Sequence, residues 1–289
     1  MTYSSWVKAM NDVTIVLPAY NEEDALGKVL KELKQKAKGF SVLVVDDGST
    51  DRTSEIAKKA RVRLVRHPYN KGYGAALKTG AKEAKTEYVL YFDADGQFYA
   101  DDIKKVAFER QKYDMIIGAR PKELTVKDMG RRIMKATASY LSGKKIPDLN
   151  CGFRLVRRQR VLDYLHILPD GFSLTTTITL AMLQAGDSVK FAPVRVRTRE
   201  AGKSGIKSGR HFAKFMLYIL RMIMLFNPLK VFLPASMIMF AIGFPAFLYY
   251  LILQFHVSQT SLMIMLFSLL TFLFGLVADT VALLARRSR

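Results

Sequence analysis

Apolar and polar positions follow two different periods along the first 210 residues. Short apolar runs at 13–18 and 41–46 are typical of buried strands, whereas apolar residues recur at helical spacing through 23–36. Further strands are predicted at 62–66, 87–93, 115–119, 152–156 and 188–198, and helices at 52–60, 72–84, 101–112, 125–141 and 173–184. This alternation predicts an α/β fold with a doubly wound, mostly parallel sheet.

The pattern changes at residue 231, where two long apolar segments begin. Residues 231–255 carry no charge, and residues 261–285 carry only Asp279. As helices each would span roughly 37 Å, which is enough to cross a bilayer. We therefore predict a large domain at 1–210, a juxtamembrane segment at 211–230 in which residues 212–226 form an interfacial helix, and a transmembrane hairpin at 231–289.

Basic residues flank the predicted hairpin and predict its orientation. Lys230 precedes it, Arg286, Arg287 and Arg289 follow it, and the connector at 254–260 has no Lys or Arg. The positive-inside rule then places both flanks in the cytoplasm, and with them the large domain and both termini. Residues 1–11 do not have the pattern of a signal peptide.

Net charge limits the classes of partner. The chain carries +20; three arginines and one aspartate beyond residue 230 account for +2, so the part before the hairpin carries +18. A phosphorylated substrate or a bilayer with anionic head groups suits this charge. No helix-turn-helix, zinc-finger or RNA-binding pattern occurs, so nucleic acid is not an expected partner. A single cysteine, Cys151, excludes an intramolecular disulfide.

Carboxylates follow two of the predicted strands. Asp93 ends the strand at 87–93 and Asp95 lies two residues further on, while Asp46 ends the strand at 41–46 and Asp47 follows it. The carboxyl ends of parallel strands meet at one edge of a sheet, where ligands bind. Two carboxylates on such a loop are hard oxygen ligands for Mg²⁺ or Mn²⁺, and the cation can in turn hold a diphosphate.

Four motifs together indicate a family. Pro-Ala-Tyr-Asn-Glu at 18–22, Asp-Asp-Gly-Ser-Thr-Asp at 46–51, Asn-Lys-Gly-Tyr-Gly at 70–74 and Asp-Ala-Asp-Gly-Gln at 93–97 stand in order. They resemble family 2 glycosyltransferases of the GT-A fold, over roughly residues 13–210. Within that family the chain looks like the polyprenyl-phosphate glycosyltransferases, of which dolichol-phosphate mannose synthase is the best-known type.

The resemblance implies a role for each matching residue. A nucleoside-diphosphate sugar would be bound by Pro18, Tyr20, Glu22, Val45, Asp47, Asp93, Ala94, Gln97, Arg199, Lys203 and Lys207. The metal would be held by Asp93, Asp95 and Gln97, and the acceptor phosphate by Arg120, Arg131 and Arg132. Asp95, Asp148 and Arg120 are the candidate catalytic residues, with Asp148 either a base or an orienting group. The basic loop that begins at Arg199 departs from the family pattern, since Gly205 stands where a lysine is usual.

The predicted reaction is metal-dependent, inverting transfer of one sugar from GDP-mannose or a UDP-hexose to a polyprenyl (dolichyl-type) phosphate at the cytoplasmic membrane face. Two alternatives remain: a membrane-anchored transferase with a non-lipid acceptor, and a catalytically inactive membrane-bound nucleotide-sugar binding protein. A processive polysaccharide synthase fits less well, because the only tryptophan, Trp6, precedes the first strand and the Gln-x-x-Arg-Trp motif of that class is missing.

Overall fold

The computed structural model describes residues 10–121, 143–197 and 227–287, with single positions at 136, 138–140, 217, 220 and 224. The chain divides into two compact units, Met1–Tyr218 and Ile219–Arg289. The predicted helix at 125–141 and the predicted interfacial helix at 212–226 fall almost entirely outside the described residues, as do both chain termini.

The first unit contains a seven-stranded sheet. Its strands are β1 (Val13–Ala19), β2 (Ser41–Asp46), β3 (Arg63–Arg66), β4 (Tyr88–Tyr91), β5 (Met115–Ala119), β6 (Arg154–Arg157) and β7 (Val189–Pro193). They are ordered β3-β2-β1-β4-β6-β5-β7. Only β6 runs against its neighbours, pairing antiparallel with both β4 and β5. The mostly parallel α/β sheet predicted from the sequence is confirmed.

Six helices accompany the sheet in the described part of this unit. They are α1 (Glu23–Lys36), α2 (Thr53–Lys59), α3 (Tyr73–Glu83), α4 (Asp101–Phe108), α5 (Arg158–Tyr164) and α6 (Leu174–Ala185). Strands β1 and β4 are buried along their whole length. Both faces of the sheet are therefore covered here, which explains why these strands read as continuous apolar runs rather than as alternating ones.

Several element boundaries differ from the sequence prediction. The helix expected at 101–112 ends at Phe108, and a short 3-10 turn follows at Arg110–Lys112. The strand expected at 188–198 ends at Pro193, because Val196 pairs antiparallel with Phe98 instead of continuing along β5. Helix α5 was not predicted, since it follows β6 without an intervening loop.

The second unit is a helical hairpin of α7 (Leu229–Leu253) and α8 (Gln259–Arg287). Both helices are long and apolar enough to cross a membrane by length and composition. The Ser268 hydroxyl donates to the Ser236 carbonyl at 2.8 Å. A Cβ at Gly275 would come within 2.6 Å of Phe232, so the absent side chain lets the helices approach closely there. The two predicted spans are confirmed as helices, each beginning two residues earlier than expected.

Candidate active site

The candidate site lies at the carboxyl edge of the sheet. Strand β1 pairs in parallel with β2 on one side and with β4 on the other, so the chain reverses its direction of winding at β1. Tyr20, Asp47 and Asp93 follow these three strands. Such a reversal point is where open α/β sheets bind ligands. The structure thus brings the two acidic strand ends to one edge, as the sequence indicated.

The two carboxylates of the first acidic pair have separate partners. Asp46 is fully buried, accepts a hydrogen bond from the Ser49 backbone at 2.8 Å and also accepts one from the Ser54 hydroxyl. Arg66 approaches the same carboxylate at 3.5 Å. These contacts stabilise the turn after β2. Asp46 is consequently a structural residue of the turn.

Asp47 contacts the loop that precedes α3. Its Oδ1 accepts from the Lys71 backbone N–H at 2.9 Å and lies 2.6 Å from His67 Nδ1, and its Oδ2 accepts from the Gly72 N–H at 2.8 Å. His67 is itself buried, with Nε2 2.9 Å from the Thr79 hydroxyl. An ionised carboxylate only accepts, so Nδ1 carries the ring proton. His67 was not identified from the sequence, because its pairing with Asp47 joins positions twenty residues apart.

The other residues matched to the nucleoside pocket differ in exposure. Pro18 and Val45 are buried and are register partners in β1 and β2. Tyr20 is 46% exposed. The Glu22 N–H donates to the Thr53 hydroxyl at 2.9 Å and Glu22 precedes α1. Of these residues Tyr20 therefore offers an accessible surface, whereas Pro18 and Val45 lie in the buried sheet.

Asp93 is held from two sides. The Tyr73 hydroxyl donates to Asp93 Oδ1 at 2.8 Å. On the other side a Cβ at Gly152 would lie 2.1 Å from Asp93 Oδ2, so only glycine fits there. Tyr73 lies inside a motif that the sequence singled out, but no pattern related it to Asp93. Gly152 was not identified as a site residue at all.

The electrostatics of this carboxylate favour a bound cation. Burial chiefly, with the neighbouring Asp95 adding to it, raises the pKa of Asp93 to about 6, although Tyr73, Arg120 and Arg154 favour its ionised form. Two carboxylates this close in a desolvated site repel each other, and a divalent cation removes that repulsion. The chemistry of the donor set therefore fits Mg²⁺ or Mn²⁺.

The loop after Asp93 completes the candidate metal site. Ala94 is buried, Gly96 has a φ of +75°, and the Gln97 backbone N–H donates to Asp95 Oδ1 at 3.1 Å. Within the part of the chain that the structure describes, no group of three or more His, Cys, Asp or Glu side chains forms a metal cage. A cation here would thus need further oxygen ligands, such as those of a diphosphate or water.

Arg120 and Asp148 form a bidentate ion pair beside this loop. Arg120 Nε and one terminal nitrogen contact the two carboxylate oxygens at 2.7 and 3.0 Å. Burial acts to lower the pKa of Arg120, but Asp148 outweighs it and raises that pKa above its ordinary value. Because both oxygens of Asp148 accept from one guanidinium, the geometry favours the orienting role for Asp148 over that of a base.

A buried arginine lies near Asp93. Arg154 is fully buried and donates to the carbonyl oxygens of Cys151 and Thr175 and to the Thr179 hydroxyl, over distances of 2.7 to 3.2 Å. Burial lowers the pKa of Arg154. Cys151 is also buried, and burial raises the pKa of its thiol to about 12, so it is not a thiolate nucleophile at neutral pH. Arg154 was not identified from the sequence.

The segment leading to the predicted basic loop is attached to the acidic loop. The Arg197 N–H donates to the Gln97 carbonyl at 2.8 Å, and its guanidinium pairs with Glu32 at 2.9 and 3.0 Å and covers the Tyr99 ring at 3.9 Å. The remaining predicted phosphate ligands lie outside the described residues: Arg131, Arg132, Arg199, Lys203 and Lys207.

Two known protein families match this chain. Residues 14–165 match the family described as glycosyl transferase family 2, and residues 227–284 match the GtrB C-terminal hairpin. The first match covers more than half of the chain. The chain therefore belongs to glycosyl transferase family 2, and it is a glycosyltransferase. The hairpin match and the two long apolar helices together indicate a membrane-anchored protein.

Two relatives show the range of the similarity. An uncharacterised protein of Methanocaldococcus jannaschii is 34% identical over 201 residues, covering 64% of this chain and 81% of the relative. A dolichyl-phosphate beta-glucosyltransferase of Trichomonas vaginalis is 33% identical over 172 residues, covering 51% of this chain. The chain spans about half (53%) of that second relative's length.

A solved structure supports the fold. Glucosyl-3-phosphoglycerate synthase from Mycobacterium tuberculosis, crystallised with Mn²⁺ and UDP-glucose, superposes with a TM-score of 0.64 at 17% identity. The similarity covers 77% of this chain and 83% of that one. At this identity the likeness establishes the GT-A type of fold and leaves the substrates to be argued from the site.

Proposed function

We propose that the protein transfers one sugar from a uridine-diphosphate sugar to a polyprenyl phosphate, with inversion at the anomeric carbon, at the cytoplasmic face of a membrane. The observation that carries this proposal is the pair Asp93 and Asp95 at the reversal point of the sheet, in a chain that ends in an apolar hairpin. The relatives support it, since one is a dolichyl-phosphate beta-glucosyltransferase by name and the structural neighbour was crystallised with UDP-glucose.

The number of acceptor sites still available on Asp47 supports uracil as the base of the sugar donor. A carboxylate has about four acceptor sites. Among the described residues, Asp47 Oδ1 has two partners and Oδ2 has one, which leaves a single site on Oδ2. Uracil presents one N–H donor on its pairing edge, whereas guanine presents N1–H beside an amino group and needs both carboxylate oxygens. A UDP-sugar therefore fits this carboxylate better than GDP-mannose does.

The acidic loop supplies the ligands for the leaving group. Asp93, Asp95 and Gln97 would hold Mg²⁺ or Mn²⁺, and the cation would neutralise the charge that develops on the departing diphosphate. Asp93 is fixed by Tyr73 and cannot turn towards Gly152, which is already in contact with it. The loop is therefore held in place before the donor binds, as electrostatic stabilisation of a leaving group requires.

Among the residues that the structure describes, Arg120 is suited to bind the acceptor phosphate. Asp148 holds its guanidinium in place through two hydrogen bonds, and Arg120 is close enough to Asp93 to favour its ionised form. A phosphate monoester has a second pKa of about 6, so a lipid phosphate is largely dianionic at pH 7 and needs no general base. Direct attack opposite the leaving diphosphate inverts the anomeric carbon.

The proposal is tested by incubating the purified full-length protein with a panel of UDP- and GDP-sugars, with and without polyprenyl phosphate, and measuring nucleoside diphosphate release. We expect release from a UDP-sugar that depends on polyprenyl phosphate. Release that is independent of the lipid would favour a non-lipid acceptor. Binding without release from any donor would favour an inactive nucleotide-sugar binding protein.

A further inference from the structure

One short segment contacts both acidic sites. The backbone N–H groups of Lys71 and Gly72 donate to Asp47 at 2.9 and 2.8 Å. The next residue, Tyr73, donates its hydroxyl to Asp93 Oδ1 at 2.8 Å. Three consecutive residues therefore connect the carboxylate matched to the nucleoside with the carboxylate matched to the metal.

This segment is fixed by the chain that faces it. Gly72 has a φ of +109°, and a Cβ there would lie 2.5 Å from the Asp170 carbonyl oxygen. The Ala75 N–H donates to that same oxygen at 3.1 Å. The Tyr73 ring stacks on Phe172, with centroids 5.2 Å apart and planes inclined by 16°. The hydroxyl is thus presented to Asp93 from a rigid support rather than from a flexible loop.

We propose that Tyr73 is a positioning residue for the metal-binding carboxylate Asp93. Its hydrogen bond to Oδ1 fixes the rotation of the carboxylate about its Cβ–Cγ bond and leaves the remaining lone pairs in a defined direction for the cation. Residues that hydrogen-bond to a metal ligand commonly change metal affinity about 10- to 100-fold when they are removed. This role rests on the proposed metal-dependent binding of the donor.

Tyr73→Phe removes the hydroxyl and keeps the ring that stacks on Phe172. We expect the affinity for Mn²⁺, titrated by electron paramagnetic resonance in the presence of UDP, to fall about tenfold or more. Phe172→Leu weakens the stacking and keeps the hydroxyl, so it should lower the affinity by a smaller factor. Because Phe172 is 44% exposed, that second variant should fold normally.

Tyr164→Phe is the matched control. The Tyr164 hydroxyl also donates to a carboxylate, that of Asp187, at 3.2 Å. This hydrogen bond joins α5 to the loop after α6. This control should leave the Mn²⁺ affinity unchanged. The decrease in its Tm measures how much a tyrosine–aspartate hydrogen bond contributes to the stability of the fold.

An unchanged Mn²⁺ affinity in Tyr73→Phe would overturn the positioning role, as would an equal loss of affinity in Tyr164→Phe. A wild-type protein that binds no Mn²⁺ in the presence of UDP would contradict both the proposed metal site and the role of Tyr73. The titration contains no acceptor lipid, so its result does not depend on whether the acceptor is a polyprenyl phosphate.

Discussion

Asp46 and Asp47 are adjacent, and we assign recognition of the base to Asp47, since Asp46 is fully buried and binds the turn after β2. We expect Asp47→Asn to weaken UDP binding by about tenfold or more, because a hydrogen bond to a charged group contributes about 1.5–3 kcal/mol. Isothermal titration calorimetry of the full-length protein measures this directly. UDP methylated at N3 lacks the donor and should likewise bind the wild type weakly.

Asp46→Asn is the matched control for this prediction. Its carboxylate contacts Ser49, Ser54 and Arg66 in the turn after β2, so the variant should lower Tm and leave the ratio of UDP to GDP affinity unchanged. Equal binding of UDP and N3-methyl-UDP by the wild type would rule out recognition of the base through Asp47.

The sequence located the acidic residues of the site but could not assign their partners. Motif and spacing place Asp47 and Asp93 at strand ends, because strand periodicity is a local property. The contacts of His67 and Tyr73 with these carboxylates join residues twenty positions apart through the fold. A side chain's hydrogen-bond partners depend on tertiary packing, so only the structure shows which lone pairs are already engaged.

At the scale of elements, a buried carboxylate attaches the segment after β7 to helix α4. Asp102 is 2% exposed and accepts from the Arg195 backbone at 2.9 Å, from its side chain at 3.2 Å, and from Lys105 at 3.0 Å. Burial acts to raise the pKa of Asp102, but these hydrogen bonds outweigh it and hold the pKa below its ordinary value. Folding therefore favours the ionised form of this residue.

The stability that Asp102 contributes should depend on pH. It is present above about pH 4, the ordinary pKa of an aspartate, and is lost as the pH falls through the lower pKa of the folded protein. We expect Asp102→Asn to lower Tm clearly at pH 7 and by progressively less as the pH falls below about 4, measured by thermal unfolding in detergent. Asp101→Asn, at a half-exposed ion pair with Lys36, should have little effect at either pH. An equal loss for both variants at pH 7 would contradict the assignment.

Some elements could not be predicted in detail for physical reasons. An apolar run carries no information about strand direction, so the antiparallel β6 was not distinguishable from its parallel neighbours. Strand β7 is shorter than its apolar pattern predicts, because Val196 pairs with Phe98 on the loop after β4. The hairpin helices were predicted closely, since their length and lack of charge leave few alternatives.

At the scale of the whole molecule, the candidate site residues and the long apolar helices belong to different units of the chain. All described candidate site residues lie in Met1–Tyr218, and the apolar helices lie in Ile219–Arg289. We expect a protein ending at Asn227 to bind UDP and Mn²⁺ nearly as the full chain does. Its transfer to a long polyprenyl phosphate in liposomes should fall sharply, because the local concentration of acceptor is lost.

A short, detergent-soluble acceptor is the control for this truncation. Transfer to it should fall much less than transfer to the long lipid. A truncated protein that remains folded by circular dichroism but no longer binds UDP in calorimetry would show that the hairpin contributes to the donor site itself.

The most direct test of the central claim is mass spectrometry of the lipid product. The wild-type protein, in liposomes containing polyprenyl phosphate, should convert the lipid in the presence of a UDP-sugar and Mn²⁺ or Mg²⁺ into a species heavier by one sugar residue, with inverted anomeric configuration by NMR. EDTA should abolish the product, and Asp95→Ala should lower turnover at least ~10²-fold, because the diphosphate loses its cation. Full product formation in EDTA, or from Asp95→Ala, would contradict metal-assisted transfer at this site.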